Sequence, residues 1–262
     1  MAYRLGVIGS PISHSLTPRI HLAALAHWNL EGTSEAVEID VSHVGDVAEL
    51  LNHFDALSVT MPLKELLVPL CQTLDEPATR IGAVNSLQRT KDGVSGRNTD
   101  GRGLIDALKC EMDLDVTGLT CVVRGSGGSA KSIIDALDRA GAANVILLAR
   151  NRDAAEQIGR SHPVLRINPA NCEDVSLIVN TIPFVDGINV ELNEPEMKWA
   201  SNSLAVEVVY VPAETPWLFE HRAAGRRTAN GLAMLVHQAR HQLEWWFERT
   251  IETSILLAAV ST

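Results

Sequence analysis

Short apolar runs alternate along this chain with longer stretches in which apolar positions recur every three or four residues. The first kind predicts buried strands at 4–9, 36–40, 56–60, 84–89, 120–125, 144–150, 175–181 and 203–209. The second predicts helices at 18–29, 44–53, 63–73, 100–111, 129–140, 152–160, 216–224, 231–248 and 250–260. Strand and helix alternating in this way predict an α/β fold with parallel sheets and helices on both faces.

The rhythm breaks near residue 100. The stretch "RTKDGVSGRNTDGRG" holds four glycines and mostly polar residues, as a loop or hinge would, and a second βαβ series starts at "TCVVRG". We therefore expect a domain over 1–100, a second over 101–230, and helices over 231–262 that return to the first. Clefts between domains are where small ligands usually bind.

Composition narrows the function classes. The 262 residues are 46% hydrophobic and 21% charged, ordinary for a globular chain, with a formal net charge of −10. That charge argues against nucleic acid or an anionic membrane as the main partner. No apolar run reaches the roughly 18 residues of a membrane span. Cys71, Cys110, Cys121 and Cys172 lack metal-site spacing and read as reduced packing residues, and no metal is expected. With "MAYRLGVIG" entering a strand directly, the expectation is a cytoplasmic protein.

In the second half, "TCVVRGSGGSAKS" sets Gly125, Ser126, Gly127, Gly128 and Ser129 between a strand and a helix. Glycine permits the tight turn and lets backbone approach a pyrophosphate at the helix N-terminus. The next strand should end in an acid to bind a ribose 2′-hydroxyl, yet it ends in Ala149, Arg150, Asn151 and Arg152. Two guanidiniums there suit a 2′-phosphate, which points to NADP.

In the first half, "GSPISHSLTPRIH" places Ser15 and Thr17 before Pro18, with Thr17 expected to cap the following helix. Two hydroxyls beside a positive helix end could receive a carboxylate. "SVTMPLK" supplies Thr60 and Lys64, "GAVNS" Asn85, and "GRNTDGRG" Asp100. His237 and His241 lie four apart on the last long helix and read as helix-surface polarity.

Seven motifs in order carry a resemblance: "GSPISHSLTP", "VTMPLK", "GAVNS", "NTDGRG", "GSGGSAKS", "YVPAETPWL" and "NGLAMLVHQA". From residue 9 to about 240 the chain resembles the shikimate dehydrogenases. The resemblance implies a two-domain enzyme that reduces 3-dehydroshikimate to shikimate with NADPH, reversibly, as a monomer or homodimer. It assigns the substrate carboxylate to Ser15 and Thr17, and the ring hydroxyls to Thr60, Asn85 and Gln238 with Tyr210 nearby. Lys64 and Asp100 match the catalytic pair, with proton transfer by Lys64 alone or by both left open. Gly125 to Ser129 match the pyrophosphate loop, Arg150 and its neighbours the adenosine phosphate site, and Val208, Gly231 and Met234 the nicotinamide surroundings. Thr17 stands where Ser is frequent, and Ser58 replaces a frequent Asn, removing an amide from the edge of the site. A quinate/shikimate enzyme and, more remotely, a non-catalytic NADP-dependent sensor are the alternatives.

Overall fold

The computed structural model describes residues 2–162, 165–185 and 195–261. Two compact units divide the chain, one made of 1–103 and 235–262, the other of 104–234.

The first unit opens with strand β1 (Tyr3–Gly9), helix α1 (Thr17–His27), β2 (Gly32–Glu38), a short helix α2 (Val47–Leu50) and β3 (Ala56–Val59). It continues through β4 (Thr73–Leu74), α3 (Glu76–Ile81), β5 (Ser86–Thr90) and β6 (Gly93–Arg97) to the start of α4 (Asp100–Glu111). Its sheet has the order β2-β1-β3-β5-β6-β4. β1 runs parallel to β2 and β3, but β5 runs antiparallel to both β3 and β6. This sheet is therefore mixed rather than parallel. The glycine-rich stretch expected to be a loop supplies β6, closed onto β5 as a hairpin in which Thr90 pairs with Gly93. An Asp-Gly dipeptide between two extended runs is a hairpin signal.

The expected helix at 63–73 does not form. Turns occupy 63–67, a 3₁₀ helix covers Val68–Leu70, and Thr73–Leu74 pairs with β6. Pro69 has no N–H to donate and disfavours helical backbone at the residue before it. The core of this unit gathers Ile8, Leu57 and Val59 with Leu63, Leu67 and Leu87.

The second unit contains β7 (Thr120–Arg124), α5 (Gly128–Arg139), β8 (Asn144–Leu148), α6 (Arg152–Ser161) and β9 (Leu165–Ile167). β10 (Asn171–Asn180), β11 (Glu196–Glu207), α7 (Pro216–Ala223) and β12 (Arg227–Ala229) follow. These strands form a parallel sheet ordered β12-β11-β10-β7-β8-β9, a doubly wound arrangement. Side chains alternate across it. Cys121, Val123 and Leu147 pack under α5 through Ile133, Ile134 and Leu137, while Val122, Ile146 and Leu148 face the opposite layer with Trp199 and Trp217.

The unit boundaries fall inside α4 and inside α8 (Leu232–Phe247). The last helix, α9 (Thr253–Val260), packs on α1 within the first unit, where the Trp28 indole N–H donates to the Thr250 carbonyl at 3.1 Å. No described helix is long and apolar enough to cross a membrane.

Candidate active site

β1 ends at Gly9, where an added Cβ would lie 2.4 Å from Thr60 Cγ2 and 2.7 Å from the Met61 carbonyl oxygen. Only glycine lets these two chain segments come so close. Beyond it the backbone bends through Ser10–Leu16 into α1. Contrary to the expectation from sequence, Thr17 does not cap this helix. It is the first helical residue, and its N–H donates to Ser15 Oγ at 3.3 Å. The cap position belongs to Leu16, whose side chain makes no capping bond.

Lys64 lies in the turn after β3, its carbonyl fixed by the Val84 N–H at 2.8 Å. Asn85 is pinned on both sides, donating through its N–H to the Arg97 carbonyl and accepting from the Val59 N–H. Asp100 begins α4, with its N–H donating to Asn98 Oδ1 at 3.1 Å. These anchors bring Lys64 Nζ to 2.5 Å from Asp100 Oδ2, with only 13% and 6% of the two side chains exposed.

The other oxygen, Asp100 Oδ1, accepts from Asn85 Nδ2 at 2.7 Å. Asn85 Nδ2 also lies 3.0 Å from Gln238 Oε1 on α8, and Asn85 Oδ1 accepts from the Thr99 N–H. Gly103 allows the approach of the two helices, since a Cβ there would sit 2.5–2.7 Å from the Cβ, N and Cα of Gln238. The fold thus joins Lys64, Asp100, Asn85 and Gln238 into one hydrogen-bonded cluster. Thr60 stands half-buried at the end of β3, and Ser15 is also half-buried.

Ser58 is buried at 4% exposure, with its hydroxyl donating to Gln242 Oε1 at 2.5 Å. His21 Nε2 lies 3.2 Å from the same hydroxyl, and His21 Nδ1 lies 2.8 Å from Ser34 Oγ. Burial holds the His21 imidazole down at about pKa 3, so it is neutral. His237 and His241 are likewise buried, not on the helix surface. Sequence reasoning missed His21, Gln242 and Thr99; the one available signal for Gln242 is its place four residues after Gln238 on the same helical face.

In the second unit, Gly125 follows β7 at φ +105°, where a Cβ would meet Thr181 Oγ1 at 2.4 Å. Gly127 caps α5, with no side-chain capping bond and nothing within 4 Å of an added Cβ. Gly128 opens the helix, and Ser126 and Ser129 are half-buried beside it. The first-turn N–H groups of a twelve-residue helix thus start in open space, which fits a pyrophosphate. Ala149 is fixed at the end of β8 by both groups of the Asn168 amide. Arg150 and Arg152 are exposed on either side of Asn151, which caps α6 by accepting from the Ala154 N–H. That donor set suits a phosphorylated ribose.

Gly231 approaches β11 so closely that a Cβ would lie 2.0 Å from the Val208 carbonyl oxygen. Met234 is buried in the core of this unit, with Val208 packed against it, and Tyr210 is half-buried beyond the end of β11. In the same sheet, Arg124, Asn180 and Glu207 align across three neighbouring strands. Glu207 accepts from Asn180 Nδ2 at 2.6 Å and from the Thr215 hydroxyl, and burial raises its carboxyl above the ordinary range.

Comparisons with known proteins agree in direction. A family profile described as "Shikimate dehydrogenase substrate binding domain" matches residues 7–87. The shikimate dehydrogenase (NADP(+)) of Paramagnetospirillum magneticum is 33% identical, over 97% of this chain and 96% of its own. That of Staphylococcus epidermidis is 32% identical over 93% and 91%. Shikimate 5-dehydrogenase from Thermus thermophilus, solved in complex with NADP(H) and shikimate, superposes with a TM-score of 0.83 at 30% identity, covering 98% of each chain.

Proposed function

The chain belongs to the shikimate dehydrogenase family, and from that membership we propose that it catalyses the reversible NADPH-dependent reduction of 3-dehydroshikimate to shikimate. The observation that carries the reading is the 2.5 Å contact between Lys64 and an Asp100 whose second oxygen is already held by Asn85. Once bound, the nicotinamide would supply hydride to the carbonyl carbon in one direction and accept it in the other. As negative charge grows on the carbonyl oxygen, the Lys64 ammonium donates to it and then delivers the proton. Asp100 steadies that ammonium and accepts a substrate hydroxyl. Ser15 and Thr17 receive the substrate carboxylate, while Thr60, Asn85, Gln238 and Tyr210 line the ring hydroxyls.

The cofactor reading assigns the pyrophosphate to Gly125–Ser129 and the 2′-phosphate to Arg150 and Arg152, with Ala149 and Asn151 beside the ribose. Val208, Gly231 and Met234 border the nicotinamide. A cytoplasmic location accords with a hydrophilic substrate and cofactor.

Initial rates with shikimate and quinate against NADP⁺ and NAD⁺ test the assignment. Shikimate with NADP⁺ should be the preferred pair, and absence of turnover with all four would overturn it. Lys64→Ala should lower kcat by about 10²–10⁴ while KM for shikimate changes little, as expected for a group acting on transition-state charge. A rise in KM alone would remove Lys64 from the chemistry.

A further inference from the structure

The hydrogen bonds do not stop at Gln238. Gln242 Nε2 donates to Gln238 Oε1 at 2.6 Å and to the Asn85 carbonyl at 3.1 Å, while Gln242 Oε1 accepts from the Ser58 hydroxyl. Since Ser58 spends its proton on Gln242, its oxygen must accept from His21 Nε2–H, and His21 Nδ1 must accept from Ser34. Every donor in this chain then has one direction, from Ser34 on β2 to the amide of Gln238. That amide is turned so that Nε2 donates to the Leu235 carbonyl and Oε1 faces Asn85.

We propose that Ser58 and Gln242 act as one positioning unit, which sets the orientation of the Gln238 and Asn85 amides and through them the Lys64–Asp100 pair. This deepens the functional reading above and rests on it. The Gln242 amide supplies both donors, to Gln238 and to the Asn85 carbonyl. A flipped Gln242 would set its oxygen against those two acceptors, so they choose which way round the amide sits, and the Ser58 hydroxyl, donating to Oε1, holds it there. The neutral state of His21 keeps Nδ1 available to the Ser34 hydroxyl throughout the neutral pH range.

The test is a double-mutant cycle on the full chain. Ser58→Ala should lower kcat for shikimate oxidation about tenfold, and Gln242→Met, similar in length but unable to hydrogen-bond, about thirtyfold, with KM for shikimate raised severalfold and KM for NADP⁺ within about twofold of wild type. The double variant should fall no further than Gln242→Met, because Ser58 acts only through Gln242. Multiplying effects, or an unchanged kcat in Ser58→Ala, would overturn the proposal. Should Gln242→Met fail to fold, Ser58→Cys, with its weak S–H donor, must give a kcat between Ser58→Ala and wild type. Should wild type not turn over shikimate at all, the functional reading fails, and the Gln238 side-chain amide becomes the readout by NMR. Its hydrogens should exchange slowly in wild type and markedly faster in Ser58→Ala; equal exchange would sink the positioning role by itself.

Discussion

The two units bury polar groups in different ways. In the first, the interior between β3 and α8 is filled by neutral amides and hydroxyls: Ser58, Asn85, Thr99, Gln238 and Gln242, with a neutral His21. The Lys64–Asp100 pair is the charged end of that network. In the second unit the corresponding layer holds charge against aromatic faces. Arg124 lies 5.2 Å from the Trp217 ring, the Trp217 and His221 rings lie 4.2 Å apart, and Arg226 covers Trp199 at 4.3 Å. Glu207 is the buried carboxylate beside them. Neutral hydrogen bonds are directional and hold angles, whereas a charge over a ring tolerates sliding. Orientation is what the proposed proton transfer would need, and the first unit holds Lys64 and Asp100 by such directional bonds.

Three measurements sharpen or break this contrast. The largest effect should be acid sensitivity from His21. Its folded pKa of about 3 lies below the ordinary 6.5, so the unfolded chain binds the proton first. Stability is therefore full above about pH 6.5 and falls as pH drops toward 3, by about 1.4 kcal/mol per unit and roughly 5 kcal/mol in all. Urea unfolding between pH 7 and 4 should show this slope together with that of His221, held at about pKa 4, and His21→Asn should roughly halve the total. A slope unchanged in that variant would place the acid sensitivity elsewhere.

Next comes Glu207→Gln, which turns one of two buried acceptor oxygens into a donor facing Asn180 Nδ2 or the Thr215 hydroxyl and removes the charge near Arg124. Losing a charged acceptor and stranding a donor should cost about 3–5 kcal/mol, against about 1–3 kcal/mol for Gln242→Met, which strands only neutral groups. Equal losses by chemical denaturation would erase the distinction between the units.

The smallest effect is in the response of the two histidines to salt. His221 is held at about pKa 4 by burial first and then by Arg226 and Arg124, whereas His21 is held down by burial alone. Added salt screens the guanidiniums, so the His221 value should rise slightly in an NMR titration while that of His21 stays fixed. Parallel movement would mean that the arginines contribute nothing.

Much of the fold is legible in the sequence where the cause is local. Uninterrupted apolar runs mark β1, β3, β7 and β8, because a strand covered on both faces has no polar positions to break the run. The pattern puts β2 at 36–40 instead of 32–38, since its exposed positions carry Thr33, Glu35 and Glu38, which hide an edge strand. The hairpin of β5 and β6 escapes it because Gly93, Ser95 and Gly96 look like a linker until a partner strand satisfies their backbone. The same divide holds at the site. Lys64, Asp100 and Asn85 stand out in their motifs, but the Ser58–Gln242 bond joins residues 184 apart and leaves no local pattern. Arg124 passes as the end of a strand for a similar reason: its neighbour Glu207 lies two strands away across the sheet.

The discontinuous first unit also has a consequence for synthesis. A ribosome makes residues 104–234, the whole second unit, before it makes Gln238 and Gln242. At about 5–20 residues per second, that takes seconds during which the first unit still lacks α8 and α9. Strands β1 to β6 must wait through that interval with β3 uncovered on the side where Gln242 belongs. Last to arrive is the helix that closes the amide network.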